Sequence, residues 1–393
     1  MPWQRLSQAI LGTELKLITT QAHRNGYLWE VEKIRASCEI CPKCASPTNS
    51  RYGTCQVVVR QDGIWGFPLW LRIHKHRYFC KTCRKPFTES VPGVLPRMRT
   101  TQRYRRALLR ACQSFKSLSG VRKDYQCSSS LVYKILYEQL ELKLRERKGA
   151  YWPLIVGVDE HFFSRRRGFT EFVTVFTDLR KRRMFEMCEG KDKRSLLEQV
   201  KDIPGRERVK VVVIDLSNGY RSLVRELFPN AKIVADKFHA LRLITPALIK
   251  ARKEIQGFKQ DLRMRRLLLK NRMNLDYDLR FEIDKFLKQH PKLDAIYRTK
   301  ERLHEFYRTK GSARGYRSLL RLISDLDKSP YDEIQKLKRT LKTWGEEILN
   351  YFETGYTNGL TEALNRTAKL VQANAYGYKS FRNYRLRTLS ACS

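Results

Sequence analysis

The chain has 393 residues, too many for one ordinary hydrophobic core, and its 42% hydrophobic content is enough to build several. Lys plus Arg number 79 against 40 Asp plus Glu, a formal net charge of +39 spread along the whole length. That balance calls for a polyanion, with nucleic acid the natural partner bound with a steep salt dependence, and no apolar run approaches the roughly 20 residues of a membrane-spanning helix.

The start, Met1-Pro2-Trp3-Gln4-Arg5, has no signal-peptide pattern, so an intracellular setting is expected. There the ten cysteines are expected to stay out of disulfides. Residues 1 to about 37 are mixed and carry Trp3 and Trp29. Cys41-Pro42-Lys43-Cys44 and Cys80-Lys81-Thr82-Cys83 are two CxxC pairs flanking a β-rich segment. This is the spacing of a four-thiolate zinc ribbon, in which one structural Zn²⁺ replaces a core. Cys38 is near enough to Cys41 to compete as a ligand. Val57-Val58-Val59, Trp70-Leu71-Arg72-Ile73 and His74-Lys75-His76-Arg77-Tyr78-Phe79 read as strands. Their basic and aromatic faces suit a nucleic-acid backbone or the solvated face of a small ribbon. Pro92-Gly93 and Pro96 mark a linker.

From Thr100 the pattern turns helical. Arg106 to Cys112, Leu118 to Tyr125, and a run from Leu131 capped by Ser128-Ser129-Ser130 make three helices. A short polar turn before the last fits a helix-turn-helix, a pattern shared with other small helical bundles. The N-terminal part of a recognition helix faces base edges, which singles out Ser129, Ser130, Tyr133 and Lys134.

Leu154 to Val158 and Val209 to Ile214 are largely apolar, β-branched runs, as in strands buried on both faces. Each delivers an aspartate, Asp159 and Asp215, at its C-terminal end. Two such carboxylates can hold hard cations; the alternative is that each caps a strand or the next helix. Between them, Gly168 marks a turn, Glu171 to Asp178 and Met184 to Cys188 read as a hairpin around Arg180-Lys181-Arg182-Arg183, and Lys193 to Lys201 as a helix. A helix from about Tyr220 and a strand from Lys232 to Asp236 follow. Strand, strand, strand, helix, strand, helix, strand is the order of the RNase H-like fold, a mixed sheet with three antiparallel strands first. Phe238 to about Gly355 is helical and charged, with Trp344 either a base-stacking ring or a core residue. Beyond it Asn358 is placed as an N-cap, and Glu362, Asn365 and Lys369 share one helix face at i, i+3 and i+7. Two strand-end aspartates need a third acid, which makes Glu362 the candidate.

The reading is a multidomain α+β protein. A zinc ribbon spans 1–95, a helix-turn-helix 96–148, an RNase H-like α/β catalytic domain 149–239 and 356–393, and a large all-α insertion 240–355 splits that domain.

On Gly157-Val158-Asp159-Glu160, Val213-Ile214-Asp215, Asp236-Lys237-Phe238-His239, Thr357-Asn358 with Glu362, Asn365 and Lys369, and the closing Tyr376-Gly377-Tyr378 and Phe381 to Arg385, the chain resembles the DDE transposases of bacterial insertion sequences, specifically the ISL-three family. The usual Ser-Asn before the final acid is Thr357-Asn358 here, which retains a hydroxyl. The resemblance implies cleavage at terminal inverted repeats of double-stranded DNA and strand transfer into target DNA, by a homodimer on DNA in the bacterial cytoplasm, associated with the nucleoid. Asp159, Asp215 and Glu362 are expected to bind two Mg²⁺ about 3.5–4 Å apart, with Mn²⁺ able to substitute. Lys369 would face DNA, and Asp236 and His239 would brace the site; a plain cap plus a core histidine is the other reading of that pair. A zinc and helix-turn-helix DNA-binding regulator, and a structure-selective nuclease of the same fold, are the alternative functions.

Overall fold

The computed structural model describes residues 2–34, 38–114, 117–145, 149–163, 172–257 and 261–393. The chain divides into two compact units, residues 1–146 with 373–378 and residues 147–372 with 379–393. Among the described residues no helix is long and apolar enough to cross a membrane.

The first unit runs α1 (Pro2–Leu11), β1 (Leu15–His23), β2 (Gly26–Lys33), β3 (Glu39–Ile40), β4 (Pro47–Thr48), β5 (Arg51–Ile64), β6 (Phe67–Cys80) and β7 (Lys85–Thr88). Its main sheet has the order β1-β2-β6-β5, with β7 on β6, and only β2 and β6 pair in parallel. Leu69, Leu71 and Ile73 alternate along β6 and fill one face with Val31 and Val59. Pro92, Gly93 and Pro96, expected as a linker, are exposed, but the valines beside them tie the segment to the sheet. Val91 joins that core, Val94 bridges to Val91 and Thr101, and Thr100 bridges to Arg60. The prolines and glycine shape turns inside a folded unit. Three helices follow, α2 (Gln102–Gln113), α3 (Leu118–Asp124) and α4 (Ser129–Arg145). Thr101, Ser117 and Ser128 each accept a backbone N–H at a helix start.

The second unit opens with β8 (Ile155–Phe162), β9 (Phe172–Asp178) and β10 (Arg183–Glu189), then α5 (Lys193–Val200), β11 (Val211–Ile214), α6 (Asn218–Leu227) and β12 (Lys232–Ala235). The succession is the one read from the sequence; the Gly168 turn and Glu171 lie outside the described residues. The sheet order is β10-β9-β8-β11-β12, antiparallel across β10, β9 and β8 and parallel from β8 onward. Val212 and Ile214 face one apolar cluster while Val211 and Val213 face another, so β11 is buried on both sides.

Helices complete the unit: α7 (Lys237–Arg242), α8 (Thr245–Gln256), α9 (Leu262–Leu269), α10 (Tyr277–Lys288), α11 (Pro291–Phe306), α12 (Ser312–Asp327), α13 (Asp332–Thr343), α14 (Gly345–Thr354), α15 (Gly359–Asn374) and α16 (Phe381–Ala391). From α8 to α14 they continue the apolar cluster of the sheet, through Leu248, Ile296, Leu319, Leu341 and Ile348. Polar ties fix the join. Buried Glu347 accepts Arg221 Nη1 at 3.3 Å and Arg225 Nη2 at 3.4 Å, and Asn350 Nδ2 donates to Ile233 O at 2.8 Å. Trp344 is 4% exposed with the Arg221 guanidinium 4.2 Å over its ring, so it is a core residue and has no face for a base. Trp344→Ala is therefore expected to cost about 3–5 kcal/mol, seen as a clear drop in the melting temperature; an unchanged melt would contradict this burial.

Candidate functional site

Strand β8 carries the geometry. Side chains alternate along a strand, so Gly157, Asp159 and His161 share one face, and that face meets α15. The helix answers with Asn358, Thr361, Asn365 and Ala368, all buried. A Cβ on Gly157 would lie 2.7 Å from Asn358 Oδ1 and closer still to Thr361 Oγ1, so only glycine admits the helix here. Asn358 Nδ2 donates to Val158 O at 2.7 Å, and Asn365 Nδ2 to Asp159 Oδ2 at 2.8 Å.

Two expectations are corrected. Asp159 does not end its strand: β8 runs on to Phe162 because β9 continues to pair with it. On the β11 side pairing stops at Gly157, so Asp159 still stands at an open rim of the sheet. Asn358 occupies the N-cap position, its carbonyl accepting Glu362 N at 2.9 Å, but its side chain does not cap. That amide is spent on Val158 across the seam.

Asp215 follows β11, and Asp236 follows β12 as the N-cap of α7. Asp236 Oδ1 accepts Asn358 N at 2.8 Å, and its Oδ2 accepts His239 N at 3.2 Å and Nδ1 at 3.1 Å. His239 is thus a bridging residue, half-buried, rather than a core histidine, and its Nδ1 also lies 3.1 Å from Asp215 Oδ1. Donor atoms of Asp236, His239 and Glu362 lie within 4.8 Å of one another. Glu362 also pairs with exposed Arg242 at 3.8 Å. Lys369 is exposed further along α15, near enough for its charge to act on His161.

Burial raises the pKa of Asp159, against hydrogen bonds from Glu160 N and Asn365 and with the Glu362 charge adding to it. Burial pushes Asp215 up to about 7, opposed by His239 and reinforced by Asp159 and Asp236. Burial would raise Asp236 too, but the His239 and Asn358 donors outweigh it and hold the group below the usual range. The Asp236 hydrogen bond raises His239. Asp215 Oδ1 is buried, and its 3.1 Å contact with His239 Nδ1 lacks hydrogen-bond geometry, the same nitrogen lying 3.1 Å from Asp236 Oδ2. A buried carboxylate oxygen that shares one histidine nitrogen with a second carboxylate, beside acids whose charge burial penalises, fits a hard divalent cation. Sequence reading quoted Gly157 and Tyr384 within motifs but gave them no role, and gave none to His161 or Thr361; the alternation of Gly157, Asp159 and His161 was the available signal.

A second constellation lies in the first unit. The sulfur ligands of Cys41, Cys44, Cys80 and Cys83 all lie within 4.8 Å of one another, Cys41 to Cys83 at 3.7 Å and Cys44 to Cys80 at 3.5 Å. Bonds of about 2.3 Å in a zinc tetrahedron separate sulfurs by about 3.8 Å. Each knuckle is closed by a left-handed residue after its second cysteine, Ala45 at φ 56° and Arg84 at φ 52°. Cys38 lies outside the group. On α4, Ser129, Ser130, Tyr133 and Lys134 are all exposed, and Tyr133 stacks on Tyr137 with centroids 5.7 Å apart.

A family model described as a transposase, of the DDE ISL3 type, matches residues 156–388. The chain is 23% identical over 372 residues to the transposase for insertion sequence element IS1001 of Bordetella parapertussis, covering 91% of this chain and 90% of that protein. It is also 31% identical over 107 residues to a Lactococcus lactis subsp. lactis protein named ATP-dependent protease, covering 27% of this chain and 33% of that one.

Burial pushes the Asp215 carboxyl up to about 7 in the folded chain, well above the usual carboxylate range. The folded state binds that proton more tightly, so its stabilisation is full below about pH 4 and is lost as pH rises through 7. In EDTA, Asp215→Asn is expected to stabilise the chain at pH 8 by roughly 1–3 kcal/mol, with the gain fading near pH 4. Thermal melts at the two pH values check this; an equal effect at both would refute it.

Proposed function

Because the chain belongs to the ISL3 family of DDE transposases, we propose that it binds the terminal inverted repeats of an insertion sequence, cuts DNA there and transfers the cut strand into target DNA. The observation that supports this reading is electrostatic: the charge of Glu362 acts on Asp159 and that of Asp159 on Asp215, at a rim where Glu362, Asp236 and His239 bring donor atoms within 4.8 Å of one another. Asp159, Asp215 and Glu362 would hold two Mg²⁺, or Mn²⁺ in their place. When bound, these ions supply activation of a water or 3′-hydroxyl nucleophile and stabilisation of the leaving oxygen.

The chain's own residues divide the remaining work. Glu160 N–H and the Asn365 amide each donate to one oxygen of Asp159 and orient it. Asp236 spends both oxygens on Asn358 and His239, so it braces the rim rather than serving as a ligand. His239 sets a cationic edge against Asp215. Exposed Lys369 and the net charge of +39 favour phosphate contacts.

In this reading the five-stranded sheet with α15 is an RNase H-like catalytic domain, residues 149–239 and 356–393, interrupted by a helical insertion at 240–355. Residues 1–95 form a zinc ribbon and 96–148 a helix-turn-helix whose α4 presents Ser129, Ser130, Tyr133 and Lys134 to base edges. Joining two element ends calls for a homodimer on DNA, at the nucleoid of the bacterial cytoplasm.

Asp159→Asn, Asp215→Asn and Glu362→Gln are each expected to abolish Mg²⁺-dependent nicking and strand transfer while end-DNA affinity stays near wild type or rises slightly. Asp178→Asn is the control: Asp178 Oδ1 accepts Arg180 N and Lys181 N in the hairpin, across from Val156 and away from the acid rim. Near wild-type strand transfer by Asp159→Asn or Glu362→Gln would sink the assignment. A wild type that binds DNA and cuts under no divalent metal would instead be a regulator.

For the ribbon, one Zn²⁺ per chain is expected by elemental analysis. Cys80→Ser should release it and unfold the ribbon, since all four positions are thiolates and none is spare. Purified wild-type protein without zinc would end that part of the proposal.

A further inference from the structure

A line of hydrogen bonds runs behind the acid cluster. Tyr384 Oη lies 2.7 Å from His161 Nε2, His161 Nδ1 lies 3.2 Å from Asn365 Oδ1, and Asn365 Nδ2 lies 2.8 Å from Asp159 Oδ2. Tyr384 is 0% exposed, His161 3% and Asn365 4%, so water does not enter the line. Its anchors are firm. The Tyr384 ring stacks on Phe163 at 4.9 Å, and Arg385 grips Glu186 through two hydrogen bonds of 2.7 and 2.5 Å, holding α16 to β10.

Donor and acceptor chemistry gives the line one direction. A carboxylate oxygen only accepts, so Asn365 must turn its NH₂ to Asp159. Its carbonyl then faces His161, whose Nδ1 must carry the proton. Nε2 of a neutral imidazole is left as an acceptor, and the Tyr384 hydroxyl donates to it. Reversing any link would set like groups against each other in a dry site, at the cost of buried unsatisfied polar atoms.

We propose that His161 is a positioning residue for the metal site: held in its Nδ1–H form by Tyr384, it locks the Asn365 amide in the orientation that donates to Asp159 and so aims that carboxylate at the cation. A histidine serving only the core would satisfy its two nitrogens and stop there; this one sits one side chain away from Asp159 and shares its strand face. Removal of such a partner behind a metal ligand typically weakens metal binding about 10- to 100-fold. The inference rests on the reading of Asp159 as a metal ligand.

Two full-length variants test it. His161→Phe keeps a planar ring and removes both hydrogen bonds. Tyr384→Phe keeps the ring on Phe163 and removes only the hydroxyl, which leaves a folded variant to decide the matter if His161→Phe fails to fold. Binding of Mn²⁺ alone, followed by electron paramagnetic resonance without DNA, is expected to weaken about 10- to 100-fold in His161→Phe and several-fold in Tyr384→Phe. The Mn²⁺ concentration giving half-maximal nicking should rise in parallel, with most of the rate recovered at saturating metal. Unchanged Mn²⁺ affinity in the folded variants overturns the proposal, as does a rate loss that saturating metal does not lessen. A wild type with no Mn²⁺ affinity overturns the reading of the acids as well, and is distinguished by that from a failure of His161 alone.

Discussion

Gly157 has no side chain, and the arrangement of the acid rim depends on that. The space above its Cα is filled by Asn358 and Thr361 of α15, which lie where a methyl group would be. Because the helix can come this close, one turn later Asn365 reaches Asp159 and His161 together. A hydrogen bond between amide and carboxylate weakens within a few tenths of an ångström of its optimum. A helix held off by one carbon atom would lose Val158, Asp159 and His161 as partners in the same movement. The seam is polar and closed, so those losses would not be made good by water.

Asp159 and Asp236 are buried and Asp215 partly so, and their affinities for protons diverge. Burial disfavours the charge on all three; the donors separate them. Asp236 collects three hydrogen bonds from Asn358 and His239 and stays ionised. Asp215 Oδ1 has only the 3.1 Å contact of His239 Nδ1, which it shares with Asp236. One acid is therefore well supplied with donors and the other poorly. His239 Nδ1 lies against Asp215 on one side, and Arg242 approaches Glu362 on the other.

The parts legible in the sequence are those set by local chemistry. The CxxC knuckles, the apolar runs of β8 and β11, the succession of strands and helices, and the shared face of Glu362 and Asn365 all follow from spacings of a few residues. The parts that were not legible are set by encounters between distant segments. Where β8 ends depends on how far β9 pairs with it, not on Asp159. Asn358 has the composition of a cap, but a backbone carbonyl from across the seam claims its side chain. His161 reads as a polar strand residue until α15 and α16 bury it. Pro92-Gly93 signals a turn in either setting, and only the neighbouring Val91 and Val94, packed or bridged, make it part of a fold.

The seam between β8 and α15 joins residues far apart in the chain: 200 positions separate Val158 from Asn358, 206 separate Asp159 from Asn365, and 223 separate His161 from Tyr384. During synthesis at about 5–20 residues per second, β8 leaves the ribosome well before its helical partner exists. For that interval Asp159 has no Asn365 and Gly157 faces an open groove. Closing so long a loop is slow compared with local helix formation, so the acid rim is completed only after α15 has been made. A chain cut short anywhere before Asn358 can fold its CxxC knuckles and begin its sheet, but it lacks the helix that completes the rim. The order of the chain thus leaves the rim incomplete until the segment from Asn358 to Asn365 has been translated.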